Sequence, residues 1–211
     1  MAMQAHYLGD ARQALELSTA GYDTAVACGS PALAAKCAGG QGIAHALARD
    51  GRASAQACVL AENLLDRDSR TGERTWFLPF TTDLMTVCRL HMAGDLGQTA
   101  EVQRIAPVAL TLSRASARRQ VLYTSTLAAS HLPAASNPGS DIDRACELLA
   151  QVLPSLNSLH SARGLERFNA VRRALAAHAN RPSVQDFEDR YRSTITAASP
   201  RVGTARHDQQ S

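Results

Sequence analysis

The sequence predicts an all-α fold, a solenoid of antiparallel helix pairs, from its composition and from an internal repeat. Of the 211 residues, 45% are hydrophobic but only 4% are aromatic, and 39 are alanine. Alanine is the best helix former, whereas β-branched and aromatic residues favour strands. A charged fraction of 19% beside this apolar content argues against a disordered chain, and the residue bias argues against β-sandwiches and barrels.

Four short turn-like segments divide the chain into helix pairs. They lie at Gly9 and Asp10, at Asp50 and Gly51, at Gly94 and Asp95, and at Ser140 and Asp141. The alanines that follow them are Ala14, Ala57, Ala100 and Ala145, at spacings of 43, 43 and 45 residues. Recurrence at a nearly fixed period is typical of stacked repeats. We therefore expect about four helix–turn–helix repeats in residues 1–159, with the first repeat incomplete.

Apolar side chains recur at helical spacing within these repeats. The faces of the second helices are Ala53, Ala57, Leu60 and Leu64, and then Val102, Ile105, Ala109 and Leu112; a first helix has Phe77, Phe80, Leu84, Val87 and His91. Such spacing predicts amphipathic helices. Pro107 and Pro154 lie inside two of the second helices, and we expect each to kink its helix.

Helix starts are marked by side chains that accept a hydrogen bond from the first turn. Asp10 with Gln13 and Asp95 with Gln98 fit a capping box, and Ser30 precedes a proline at the first helical position. Ser161 and Ser183 are expected to start two further helices. Those helices would form a C-terminal cap at residues 160–193, because the end of a solenoid must meet water. Residues 194–211 are polar and aperiodic, and we expect a disordered tail there.

Charge and cysteine usage suggest a protein of the cytoplasm. The five cysteines are odd in number and lack a C-x-x-C pair, which argues against a disulfide framework or a zinc module. We find no signal-peptide pattern and no apolar stretch long enough for a membrane span. The net charge is only +3, and Arg163, Arg167, Arg172 and Arg173 do not fall on one helical stripe. We interpret them as a solvated face and expect no direct nucleic-acid binding.

Helix pairs with Gly-Asp turns followed by small residues resemble tetratricopeptide repeats, although the period exceeds about 34 residues. The residues that carry a closer resemblance are 5–10 with 13–15, the segment from Trp76 to Asp95, and the ending 144–159, 161–163, Phe168, 171–172 and 182–187. They resemble the C-terminal tetratricopeptide-like region of actinobacterial transcriptional regulators that carry a Cro/C1-type helix-turn-helix. The likeness extends over residues 5–193 and is most specific at the C-terminal end.

That resemblance implies a domain that binds a signal peptide, a small ligand or a partner protein and couples binding to the geometry of a homodimer. The family's regulators begin with a DNA-reading domain, which does not appear in this sequence. We expect the sensor and interaction part of a transcriptional regulator without its own DNA-binding domain. Two alternatives remain: a standalone tetratricopeptide-like scaffold, or a truncated, non-functional remnant.

Catalytic, metal and cofactor sites have little support in the sequence. The segment Gly39-Gly40-Gln41-Gly42 lacks the Lys and Ser/Thr of a phosphate-binding loop, and we interpret it as a close contact between helices. Cys88 and His91 share a helix face, and with Cys37 and His45 they would supply the ligand types of a zinc site, but buried packing is the preferred interpretation. No triad or carboxylate pair is recognisable. We expect no enzyme, no cofactor and no metal.

Polar stripes on the first helices are the candidate binding residues. Because those helices line the concave side of a solenoid, their polar faces are expected to meet a peptide or protein partner in the groove. The candidates are Gln41 and His45 in the second repeat, Thr82, Thr86 and Arg89 in the third, and Arg119, Tyr123 and Thr126 in the fourth.

Overall fold

A computed structural model describes residues 1–71, 80–133, 139–159 and 161–198. Every regular element within those residues is helical, which confirms the all-α prediction for them. The helices are α1 (Ala2–Tyr7), α2 (Ala11–Ala27), α3 (Pro31–Leu47), α4 (Gly51–Thr71), α5 (Thr82–Leu96), α6 (Thr99–Leu112), α7 (Ala117–Ala129), α8 (Ile142–Leu156), α9 (Ala162–Leu175) and α10 (Pro182–Ala198), with a 3-10 turn at Ala176–His178.

Successive helices form pairs, and each pair packs against the next one along the chain. Residues 8–10 connect α1 to α2, 48–50 connect α3 to α4, and 97–98 connect α5 to α6. Connections this short hold two helices antiparallel. Helix α3 packs against α2, α4 and α5, α7 packs against α6, α8 and α9, and α10 packs on α8.

Three of the predicted helix starts are confirmed by side-chain caps. The Asp10 carboxylate accepts from the Gln13 amide, the Ser30 hydroxyl from the Leu33 amide, and the Ser161 hydroxyl from the Gly164 amide. Each cap satisfies an amide that has no partner within the first helical turn.

Two expected helix boundaries are wrong. Gly94 and Asp95 are not a turn but lie within the last turn of α5, which ends at Gly97 with φ of 71°. Residue 98 caps α6 without a side-chain hydrogen bond, so Asp95 and Gln98 form no capping box. At the other end, Ser183 lies inside the first turn of α10, because the helix already begins at Pro182. Its hydroxyl donates to Asp143 of α8 at 2.5 Å.

The alanine that recurs after each turn is buried in three repeats but not in the third. Ala14, Ala57 and Ala145 are buried, whereas Ala100 is exposed because the turn before α6 falls later than predicted. The position that recurs in the structure is the fourth residue after each cap. Its occupants are Ala14, Ser54, Val102 and Ala145, and all are buried. Burial in these helices therefore recurs at a fixed distance from the cap and does not follow the predicted alanines.

The Gly39–Gly42 segment is a place of close helix contact, as the sequence predicts. A Cβ atom added at Gly40 would lie 2.8 Å from Ser18 Oγ of α2, and one at Gly42 would lie 2.4 Å from Met92 Cε of α5. Six alanines share the surrounding cluster: Ala25, Ala34, Ala35, Ala38, Ala46 and Ala61. Small side chains thus allow α3 to contact helices on both sides.

The remaining segments match their predictions in part. Helices α6 and α8 each continue past their proline, Pro107 and Pro154. Helix α10 extends to Ala198, so residues 194–198 are helical, and the rest of the expected tail lies outside the described residues. Phe77 of the predicted α5 face also lies outside them. Among the described helices, none combines the length and the apolar character needed to cross a bilayer.

Candidate functional site: a central cavity

A cavity of about 800 Å³ lies between the odd-numbered helices. Its lining comes from α1, α3, α5, α7 and α9, with a contribution from α2, so helices distant in the chain meet around one space. Small-molecule sites are concave, mostly apolar and commonly of this volume. We call it the central cavity.

One side of the central cavity is apolar. Helix α3 contributes Leu33 and Ile43, and α5 contributes Leu84 and Val87. The residues Leu84, Val87 and His91 belong to the apolar face that the sequence predicts for the third repeat. That face lines the cavity in addition to contacting neighbouring helices.

The other side of the central cavity carries most of its charge. Three of the four basic lining residues lie there, Arg118 and Arg119 of α7 and Arg163 of α9, while the fourth, Lys36, lies on α3 beside the apolar residues. Glu166 of α9 is the acidic residue of this lining. The described lining thus has more cationic than anionic side chains, which favours an anionic ligand group.

Arg163 is held by neutral groups. Its guanidinium carbon lies 3.6 Å from the centre of the Tyr7 ring, in a cation–π contact. Its Nη2 donates to Nδ1 of His91 at 3.4 Å, and its Nη1 is buried without a hydrogen-bond partner among the described residues. Burial lowers the pKa of Arg163. An unsatisfied buried donor costs about 1–3 kcal/mol.

His91 is a buried, neutral imidazole at the centre of an aromatic cluster. Its ring contacts those of His6 and Tyr123 edge-on, with centroids 5.8 and 5.7 Å away. Burial, and then the charge of Arg163, hold the pKa of His91 well below its ordinary value. Because a neutral ring has one acceptor nitrogen, Nδ1 accepts the hydrogen bond from Arg163.

A second, smaller cavity of about 500 Å³ lies beside the same cluster. His91 and Arg163 border both cavities, together with Tyr7 and Leu8 of α1. Helix α1 is fixed there by His6, whose Nε2 lies 2.7 Å from Oδ2 of Asp95. Residue 95, expected to cap a helix, instead joins α1 to α5.

Tyr123 lies where the basic groups converge on the central cavity. Its side chain is almost completely buried, and burial raises the pKa of its hydroxyl. The charges of Arg119 and Arg163 both act on that hydroxyl in the opposite direction. The two guanidinium groups therefore lie close to one phenol.

The two thiols that line the cavity are half-buried, and burial raises the pKa of each. Cys37 and Cys88 both line it, and burial raises the pKa of Cys88 to about 12. Among the described residues, no group of three or more His, Cys, Asp or Glu side chains is placed to hold a metal ion. His45, considered with Cys37, Cys88 and His91 as a zinc ligand, is not among the lining residues of either cavity.

The structure brings three of the eight candidate binding residues to the cavities. Arg119 and Tyr123 line the central cavity, and Thr126 lines the smaller one. The other five lie elsewhere. Gln41 donates to Thr19 of α2, and Arg89 pairs with Glu62 of α4. Thr86 donates to the backbone oxygen of Thr82, and His45 is half-buried on α3.

Arg163 is the residue that sequence reasoning placed wrongly. It was expected on a solvated face with Arg167, Arg172 and Arg173, but it is partly buried between two cavities. The Ser161 cap predicts that Arg163 lies in the first turn of a helix, but nothing in the local sequence indicates its contact with Tyr7. The α5 wall of Leu84 and Val87 was visible as an apolar face.

No family model, curated protein or solved structure matches this chain.

Proposed function

We propose that this chain is a tetratricopeptide-like repeat domain that binds an elongated ligand, a peptide or a small molecule, in the central cavity. The central cavity itself is the observation that carries this proposal, with its apolar wall on α3 and α5 and its basic side on α7 and α9. Sites of this kind combine apolar area for affinity with a few polar groups for orientation.

The arrangement of helices supports a repeat architecture. A buried residue stands four positions after the cap in α2, α4, α6 and α8, and each helix pair packs against the next one along the chain. In a solenoid the equivalent helix of each repeat lines one continuous surface. We propose that the central cavity lies on such a surface, because α1, α3, α5, α7 and α9 all contribute to its lining.

A role as the sensor part of a transcriptional regulator follows from the resemblance of the C-terminal segment. That segment forms α9 and α10, and α9 brings Arg163 to the central cavity. Helix α9 is joined to α10 by Arg172, which donates two hydrogen bonds to Glu188 at 2.7 Å. A ligand beside Arg163 would therefore contact the pair formed by α9 and α10. We propose that binding acts through this helix pair on a homodimer or on the contact with a partner protein.

The test is a ligand screen that includes a variant with a filled cavity. Val87→Trp places a large ring in the central cavity, whereas Val108→Trp changes an exposed valine on α6. Peptides and small molecules are screened for an increase in melting temperature, because a ligand that binds only the native state stabilises it. We expect a ligand to stabilise wild type and Val108→Trp but not Val87→Trp. An equal response of all three proteins, or none from any, contradicts the proposal.

The scaffold alternative is favoured by a different observation. Val59 and Leu60 on α4, and Val108 and Leu112 on α6, are exposed apolar side chains on even-numbered helices. Exposed apolar surface can mark a protein contact. If the scaffold is correct, Val59→Ser and Val108→Ser weaken capture of a partner protein, while Val87→Trp leaves it unchanged. If Val87→Trp alone weakens capture, the cavity is the site.

A further inference from the structure

Among the described residues no carboxylate forms an ion pair with Arg163, although the charge of Asp95 acts on it from farther away. The contacts of Arg163 are the Tyr7 ring and the His91 ring, which are both neutral, and its Nη1 has no partner among the described residues. Arg172, nine residues further along the same helix, instead has the carboxylate of Glu188. A partly buried charge without a counter-ion is unfavourable, and an anion that reaches it is bound strongly.

Two further donors point to the same place. Arg119 and Tyr123 are one helical turn apart on α7 and both line the central cavity. The Arg119 side chain is exposed at the cavity, and the Tyr123 hydroxyl is close enough to both Arg119 and Arg163 to be affected by their charges. Guanidinium forks and a phenol together suit the two oxygens of a carboxylate. We call Arg119, Tyr123 and Arg163 the acid seat.

The wall opposite the acid seat is mostly carbon, with Ser18 of α2 and Lys36 of α3 as its polar side chains. Leu33 and Ile43 of α3, and Leu84 and Val87 of α5, offer carbon surface without a donor or an acceptor. Each amide of a peptide buried against these four side chains would lose its hydrogen bonds to water, which is costly. An alkyl chain has no such groups, and its burial is favourable.

We propose that the central cavity binds a linear aliphatic carboxylic acid. Its carboxylate lies in the acid seat, and its alkyl chain lies along the wall formed by α3 and α5. For the buried Nη1 to donate to a ligand oxygen, the Arg163 guanidinium must rotate from its present contacts with Tyr7 and His91. This inference rests on the proposed function and specifies the ligand class of the same cavity.

The experiment titrates wild type and variants with dodecanoate by calorimetry, with dodecanol as the uncharged analogue. We expect one dodecanoate per chain, and weaker binding of dodecanol by about tenfold or more, as expected when a charge-assisted hydrogen bond is lost. Arg163→Gln and Arg119→Gln should each weaken dodecanoate binding by at least about threefold. Neither substitution should change the affinity for dodecanol. The matched control is Arg173→Gln, which removes an exposed arginine of α9 and should change neither titration.

The outcomes separate this inference from the proposed function. Arg119 is exposed, so Arg119→Gln tests the acid seat even if Arg163→Gln impairs folding. Equal binding of dodecanoate and dodecanol, or unchanged dodecanoate binding in Arg119→Gln and in folded Arg163→Gln, overturns the aliphatic acid. Suppose that an apolar peptide binds wild type but not Val87→Trp, and that dodecanoate binds neither protein. The ligand class is then wrong and the proposed function stands. If neither ligand binds wild type, both are wrong.

Discussion

His6 and Asp95 are 89 residues apart in the chain, yet Nε2 of the one lies 2.7 Å from Oδ2 of the other. The His6 side chain is almost completely buried, while Asp95 is partly accessible. No pattern in the sequence around either residue predicts this contact. The pair fixes the short helix α1 against α5, where Tyr7 contacts Arg163 and the first residues cover part of the central cavity.

Asp95→Asn should loosen α1 without unfolding the rest of the protein. The substitution keeps the shape of the side chain but removes its charge, which weakens its hydrogen bond to His6. Amide hydrogen exchange in α1 is expected to accelerate by several-fold, because local opening has its own free energy. Exchange in α8 should stay as in wild type. Unchanged exchange in α1 would show that the pair does not hold this helix.

Stability should fall in mild acid through His91. Burial lowers its pKa well below the ordinary value of 6.5, so the unfolded chain binds a proton that the folded protein does not. Its contribution is therefore fully present above 6.5 and is lost as the pH falls below it, by about 1.4 kcal/mol per unit while the folded form stays neutral. Urea unfolding at about pH 7 and about pH 5 measures the loss.

The control for that pH effect is a second histidine. His91→Gln should flatten the dependence, whereas His178→Gln removes an imidazole beyond α9 and should preserve it. A wild-type slope that survives in His91→Gln would assign the acid sensitivity to other groups.

Cys88 should be the least reactive of the cavity thiols in the folded protein. With a pKa of about 12, only about one Cys88 in 10,000 is a thiolate at about pH 8, and the thiolate is the reactive species. Cys28 is exposed and should react rapidly with a disulfide reagent. Peptide mapping after a short exposure is expected to find Cys28 modified and Cys88 unmodified. Denaturant should abolish the difference, and rapid labelling of native Cys88 would contradict the burial.

Gly97→Ala should destabilise the end of α5 by about 1 kcal/mol, because φ of 71° is unfavourable for a residue with a Cβ atom. Gly139, which has open space around its Cβ position and no positive φ, provides the matched change Gly139→Ala. Equilibrium unfolding in urea compares the two. Equal urea midpoints for both variants would mean that the positive φ at residue 97 does not destabilise the alanine variant.

The Arg172–Glu188 pair should stabilise the contact between α9 and α10. Arg172 makes two hydrogen bonds to Glu188 and stacks on Tyr191, 3.9 Å from the ring centre. Because both partners are partly exposed, we expect a coupling of only about 0.5–1 kcal/mol. A double-mutant cycle with Arg172→Gln and Glu188→Gln isolates it. The exposed pair of Arg144 and Glu147 should give a smaller value, and a coupling near zero at residues 172 and 188 would contradict the prediction.

Features that depend on a few neighbouring residues were predictable from the sequence. Asp10, Ser30 and Ser161 were identified as caps because the hydrogen bond spans three residues. The choice between Gly94 and Gly97 as the helix end was not local. A Cβ atom at Gly94 would lie 3.0 Å from Thr126 of α7, so that glycine serves a contact between distant helices.

The cavity was less predictable than the helices for the same reason. The apolar spacing of Leu84, Val87 and His91 is readable along one helix, but whether that face meets a core or an open space depends on the other helices. The α5 stripe of Thr82, Thr86 and Arg89 was expected in the groove because polar faces usually meet solvent. Arg89 instead reaches Glu62 of α4.

The contacts of α1 have a consequence for the order of folding. Helix α1 packs mainly on its neighbour α2, but its His6 and Tyr7 also reach Asp95 and Arg163 across long intervening segments. Contacts between distant residues form slowly, since loop closure costs entropy before they can stabilise anything. The large apolar cluster from α5 to α10 includes no residue of α1. We therefore expect the long-range contacts of α1 to form late in folding, and an occupant of the cavity to lower the rate of unfolding more than it changes the rate of folding.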